Sequence, residues 1–172
     1  SQLDLTGMKQ LRDLSCEGNS LTSLNLSDCR NLVTLVCNNN QLSVLDVSGL
    51  DKLEVLTCFS NDLSSLNLTG CISLKSLDCS VNPKLSTADF PRSLTSLNCS
   101  SCSFSQIETT KLPLLTNLTC DGNQIGTLDL SAQTKLTAVN CSNNKIKQLD
   151  FSNCVNLLDV VIAGNPINGG IS

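Results

Sequence analysis

Apolar residues recur along this chain at a fixed phase. Leucines at 11, 32, 53, 74, 94, 115, 136 and 157 are separated by 21, 21, 21, 20, 21, 21 and 21 residues. Three positions on stand Leu14, Leu35, Leu56, Leu77, Leu97, Leu118, Val139 and Val160. Five on come Cys16, Cys37, Cys58, Cys79, Cys99, Cys120 and Cys141, then Ile162 in the last copy. Eight on come Asn19, Asn40, Asn61, Asn82, Asn123, Asn144 and Asn165, with Cys102 in the fifth copy. Ten on is Leu21, Leu42, Leu63, Phe104, Ile125, Ile146 or Ile167, and the fourth copy arrives one residue late, at Leu85. The chain is therefore eight copies of L-x-x-L-x-C-x-x-N-x-L, and a period of this length signals a stacked repeat.

Each copy predicts a short strand. The alternation L-x-C puts Leu and Cys on one face and polar residues on the other. One unit cannot bury its apolar side alone, so the units must stack. Stacked coils form a parallel sheet with about 4.8 Å between strands. The second half of each unit reads like LTSLNLS (21–27), LSSLNLT (63–69) or IGTLDLS (125–131). It is too short for a helix and two turns, and a packed helix needs about 10 Å per coil. Extended or 3-10 return segments fit better. The predicted fold is a gently curved repeat solenoid of eight coils, one parallel β-sheet on one face, spanning residues 1–172 as a single domain. The asparagine column falls where the chain leaves the strand. Its amide can pair N–H and C=O groups of neighbouring coils that would otherwise be buried without partners.

The unit resembles the leucine-rich repeat, whose strand segment reads L-x-x-L-x-L-x-x-N/C-x-L. The 21-residue form with cysteine in the strand is similar to bacterial cysteine-ladder proteins, internalin-like surface proteins and Bacteroidetes surface repeat proteins. That resemblance implies a secreted or cell-surface protein with an adhesive or recognition role, and caps or anchors in other parts of the chain.

Two irregularities sit together. Asn82-Pro83-Lys84-Leu85 inserts a residue, and the segment at Phe90-Pro91-Arg92-Ser93-Leu94 is two residues short. A local bulge is expected on the return side there. The chain starts and stops inside a unit, and Leu158, Val160, Val161 and Ile162 make the last strand apolar on both faces. Solenoid ends normally carry polar caps, so a fragment of a larger protein is expected.

Composition narrows the chemistry. The net charge of −4 argues against binding nucleic acid by neutralising phosphates, and a histidine count of 0 removes histidine-based catalysis and Cys/His zinc sites. No apolar run is long enough to span a membrane. Of the 11 cysteines, seven form the ladder. Cys29, Cys71 and Cys154 share a second column with Met8, Leu50 and Leu112, as small hydrophobes would. Ladder neighbours lie within disulfide range, but their parallel Cβ vectors do not suit the bond; free buried thiols are expected. Cys99-Ser100-Ser101-Cys102 is C-x-x-C without a visible cation or second pair, and reads as structural. Sequons at Asn25, Asn67, Asn98, Asn117 and Asn140 follow from the repeat itself. Asp4, Asn25, Asp46, Asn67, Asp89, Glu108, Asp129 and Asp150 form a stripe. It could hold calcium, or cap its own turns, and the second reading is preferred. No catalytic residue, metal ligand or cofactor is assigned.

The strand positions facing off the core are mostly Ser, Thr, Asn and Asp. The exception is in the second and third coils, where Val33, Val36, Val55 and Phe59 form an apolar patch flanked by Arg12, Glu17 and Glu54. Phe90, Phe104 and Phe151 fall at core positions, which leaves Phe59 as the exposed aromatic. The candidate binding residues are Phe59, Val36, Val55, Val33, Arg12 and Glu54. The function expected is a non-enzymatic binding or adhesion module for a protein or glycan, with a spacer that presents another domain as the alternative.

Overall fold

The computed structural model describes residues 2–171. Ser1 and Ser172, the ends of the expected domain, lie outside the described residues. Twelve strands follow in chain order: β1 (Gln2–Leu3), β2 (Asp13–Ser15), β3 (Ser23–Leu24), β4 (Thr34–Val36), β5 (Val44–Asp46), β6 (Val55–Thr57), β7 (Ser65–Asn67), β8 (Ser76–Asp78), β9 (Ser96–Asn98), β10 (Asn117–Thr119), β11 (Ala138–Asn140) and β12 (Asp159–Val161). Strands β2, β4, β6, β8, β9, β10, β11 and β12 form one sheet of eight parallel strands. The register aligns equivalent residues, Leu14 with Leu35, Leu35 with Leu56, and so on to Val139 with Val160. This is a leucine-rich-repeat solenoid, and coils one to eight are counted here from the leucines at 11 to 157.

The return side is extended, as a small rise per coil requires. β1 pairs with β3 and β5 with β7, both in parallel, and one 3-10 turn covers Thr109–Lys111. Between the sheet and the returns runs one apolar core. Leu32, Leu35, Cys37, Leu42, Leu53, Leu56 and Cys58 within it have no solvent exposure.

The asparagine column does what its position demands. Nδ2 of Asn40 donates to Cys16 O in the preceding coil at 2.9 Å and to Cys37 O in its own at 3.1 Å. Its Oδ1 accepts the Leu21 N–H at 2.9 Å. Asn61, Asn82, Asn123, Asn144 and Asn165 repeat this set of three. Each side chain joins two coils at the point where the strand ladder ends. In coil five Cys102 offers one weak donor, with Sγ 3.4 Å from Cys79 O.

The residue before each asparagine of the column, and before Cys102 in coil five, is left-handed. Gly18, Asn39, Ser60, Val81, Ser101, Gly122, Asn143 and Gly164 have φ between 52° and 73°. Gly and Asn suit this region. Val81, β-branched and in the irregular coil four, does not.

Candidate functional site

The sheet face divides into two chemically different parts. In coils four to seven the polar side chains bond to one another. Oδ1 of Asp78 accepts the N–H and hydroxyl of Ser80, and its Oδ2 accepts Nδ2 of Asn98 at 3.0 Å. Asn98 holds Ser100 in the same way, and Asn140 holds Ser142 while donating to Asp121 Oδ1 at 3.1 Å. A threonine ladder, Thr95, Thr116 and Thr137, ties its hydroxyls to carbonyls one coil back. These groups have already found partners within the face.

Coils two and three keep one such bond, from Thr57 Oγ1 to Asn38 Oδ1 at 3.2 Å, and add apolar side chains. Val33, Val36, Val55 and Phe59 are half-buried by their neighbours yet lie outside the core cluster, while Phe90, Phe104 and Phe151 pack into or against it. Phe59 anchors through its backbone, since its carbonyl accepts the Asn39 N–H at 3.0 Å. The in-register partners in β4 and β6 are Thr34 with Val55 and Val36 with Thr57. Val36 and Val55 are therefore set on a diagonal of the sheet, each directly opposite a threonine. Arg12 is exposed, and Glu54 accepts from Lys75 Nζ at 2.9 Å. Such an exposed ion pair contributes little to stability and leaves the carboxylate at the rim.

The cysteines lie away from this face. All eleven are free and buried. Burial pushes the Cys37 thiol up to about 12 and those of Cys102 and Cys141 to about 11. Cys58, Cys79 and Cys99 are raised well above the ordinary thiol value for the same reason. Reactive cysteines need the opposite shift, so the C-x-x-C pair is structural. In the second column Cys71 donates to Val47 O at 3.2 Å. Sequence reasoning passed over Gln133, which occupies the same column. Its Nε2 donates to Thr109 O at 2.8 Å, and its fully buried Oε1 has no hydrogen-bond partner among the described residues.

The acidic stripe resolves into two kinds of residue. Asp4, Asp46, Asp129 and Asp150 each accept the N–H two residues on, as do Asn25 and Asn67. For Asp46 this bond to the Ser48 N–H, with the Ser48 side chain and Arg30 helping, holds the carboxyl below its usual range. Asp89 and Glu108 cap nothing and face a groove on the return side. The expected bulge is thus a recess, because coil four is a residue short. Among the described residues no group of three metal-ligating side chains converges, and no helix is long and apolar enough to cross a membrane.

No family model matches the chain, and no curated protein does. Solved structures do. The functional domain of InlJ from Listeria monocytogenes, which includes a cysteine ladder, superimposes with a TM-score of 0.95 and 32% identity, over 99% of this chain and 38% of that one. A leucine-rich-repeat protein of Leptospira interrogans gives 0.79 and 20% over 94% of this chain and 51% of that one. An internalin, InlF, of Listeria monocytogenes gives 0.68 and 16% over 94% and 57%. The last two show the fold alone. The chain spans between 38% and 57% of the length of these three proteins.

Proposed function

From a chain that belongs to the leucine-rich repeats of the cysteine-ladder type, we propose a protein-binding module that recognises its ligand with the sheet face of coils two and three. The carrying observation is the contrast within that face. Coils four to seven spend their polar groups on one another, whereas Val33, Val36, Val55 and Phe59 hold apolar surface off the core. Binding hot spots are typically aromatic or arginine anchors ringed by contacts that exclude water. Phe59 is the anchor, and Arg12 and Glu54 supply the polar rim. The role is non-enzymatic, an adhesion or recognition function at the surface of a bacterial cell or in a secreted protein, and the ligand is a protein or a glycan. Similarity to internalins supports this setting.

The test is a screen of the chain against arrayed extracellular proteins and glycans, with Phe59→Ser as the paired control. The expected outcome is capture that the variant loses while keeping its thermal unfolding profile. Equal capture by the variant overturns the assignment. A second reading, a spacer that presents another domain, is favoured by the self-bonded face of coils four to seven, and gains if no ligand is captured.

A further inference from the structure

Coil four runs 20 residues from Leu74 to Leu94, against 21 in its neighbours. Its corner is one residue longer, closed by the Leu85 N–H on Asn82 O at 2.9 Å. Its return is correspondingly two residues shorter, in a solenoid whose return strands pair, among the described residues, as β1 with β3 and β5 with β7. β7 has β5 on one edge and no strand on the other. Val47 donates to Asn67 O at 3.1 Å, so Asn67 uses the β5 side. The alternation of a parallel ladder then turns the N–H and C=O of Leu66 toward coil four. The segment that stands there, Ser86 to Phe90, forms no regular element and makes no backbone hydrogen bond among the described residues. Backbone bonding resumes on either side of it, with Ser103 of the next coil donating to Leu85 O at 2.9 Å and the Leu94 N–H closing a local turn on Pro91 O at 3.2 Å.

These two free backbone edges line a groove of about 660 Å³, with Phe104, Glu108 and Lys111 across from them. That volume lies within the range of roughly 300–1,000 Å³ typical of ligand sites. Half-buried Phe90, its ring 5.7 Å from that of Phe104, gives the groove an apolar floor. Lys111 is bonded to Glu108, while Asp89 has neither a hydrogen bond nor a salt bridge among the described residues and meets Lys111 only at longer range. Two carboxylates thus face one ammonium, and the groove complements one added cation.

We propose that this groove is a second binding site, which takes a short extended polypeptide by strand addition to β7, with a Lys or Arg of that segment set against Asp89. Strand addition draws affinity from main-chain hydrogen bonds and selectivity from alternate side chains. Open edges otherwise invite unselective pairing, which proteins commonly limit with charge. The site lies on the return side, so it stands or falls independently of the sheet-face reading.

The test is a titration of the ¹⁵N-labelled chain with the peptide acetyl-Thr-Val-Thr-Lys-Thr-Val-Thr-amide. Controls are the same peptide with Glu at the centre and one with its central amides N-methylated. The expected result is shifted amide signals at Leu66 and at Ser86 to Phe90, with a dissociation constant on the order of 1 mM or tighter. The N-methylated peptide leaves these signals in place. Asp89→Asn, an exposed change, weakens the Lys peptide by up to roughly fivefold, as an exposed ion pair does, and removes the preference over Glu. Three results would each overturn the proposal: no shift at those amides, equal binding of the N-methylated peptide, or equal binding of the Lys and Glu peptides by the unaltered chain. Shifts confined to the eight-stranded sheet, β2, β4, β6, β8, β9, β10, β11 and β12, support the sheet face alone and also overturn it.

Discussion

The Leu85 N–H is the group that an asparagine at position 102 would accept, and in this chain it is already bonded to Asn82 O at 2.9 Å. Elsewhere the equivalent N–H, such as that of Leu63 or Phe104, depends on the asparagine of the next coil. The inserted residue at Pro83-Lys84 and the cysteine at 102 are therefore two halves of one change. Simple restoration of the repeat pattern is not expected to help. Cys102→Asn buries an Oδ1 without its donor, and leaves stability unchanged or lowers it by about 1–2 kcal/mol. Asn123→Ala, by contrast, costs about 1–3 kcal/mol because buried groups on two coils lose their partner. Deleting Lys84 should be harmful alone and less so combined with Cys102→Asn. Urea denaturation of the double-mutant cycle checks this, and additive effects would show that the two positions are not coupled.

Val81 carries a left-handed φ of 53° that the other coils give to Gly, Asn or Ser. A β-branched side chain there is strained by about 1–2 kcal/mol. Because 47% of Val81 is exposed, its removal forfeits little packing. Val81→Gly should raise the melting temperature in calorimetry, with a gain of about 1 kcal/mol offset in part by the entropy of glycine.

The buried thiols set an alkaline limit. Their folded values lie above the unfolded value of 9.0, at about 12 for Cys37 and well raised for the fully buried Cys58, Cys79 and Cys99. A raised folded value means that the stabilising difference is intact below pH 9 and is lost as pH climbs toward 12. Urea midpoints should hold between pH 7 and 8.5 and fall steeply above pH 9, and Ellman's reagent at pH 8 should label the native chain far more slowly than the unfolded one. A flat stability profile to pH 11 would contradict the burial of the ladder.

Gln133 is the polar member of an apolar column. Its one bond, to Thr109 O, duplicates a donor that this carbonyl already has in the Leu112 N–H at 2.8 Å. Gln133→Met keeps the length and removes the unpartnered Oε1. The expected change is between zero and about 2 kcal/mol of added stability, measured by chemical denaturation.

Much of this molecule is legible in its sequence, because a repeat shows every position several times. The Leu14 and Cys16 columns fix which face is core, and the asparagine column fixes where the coils are joined. What stayed hidden depends on single departures from that average. Asp89 and Glu108 read as members of a regular acidic stripe, and only the shortened coil four turns them into the wall of a groove. The bond from Leu85 to Asn82 cannot be seen from residue types, since the corner that makes it is one residue longer than the rest. Gln133 could have been found, as the one uncharged polar residue in a column of Cys, Leu and Met. Phe59 stands out by position alone, being an aromatic on the polar side of the alternation, and its role as an anchor is the proposal made above.

The most direct measurement of recognition through coils two and three is a titration of a captured ligand against three chains: the unaltered one, Phe59→Ser, and Thr119→Ser in coil six. Phe59→Ser is expected to weaken binding by about 2 kcal/mol, roughly thirtyfold, as loss of a central anchor does, with Thr119→Ser unchanged. Full affinity in Phe59→Ser, or equal losses in both variants, would contradict recognition through that face.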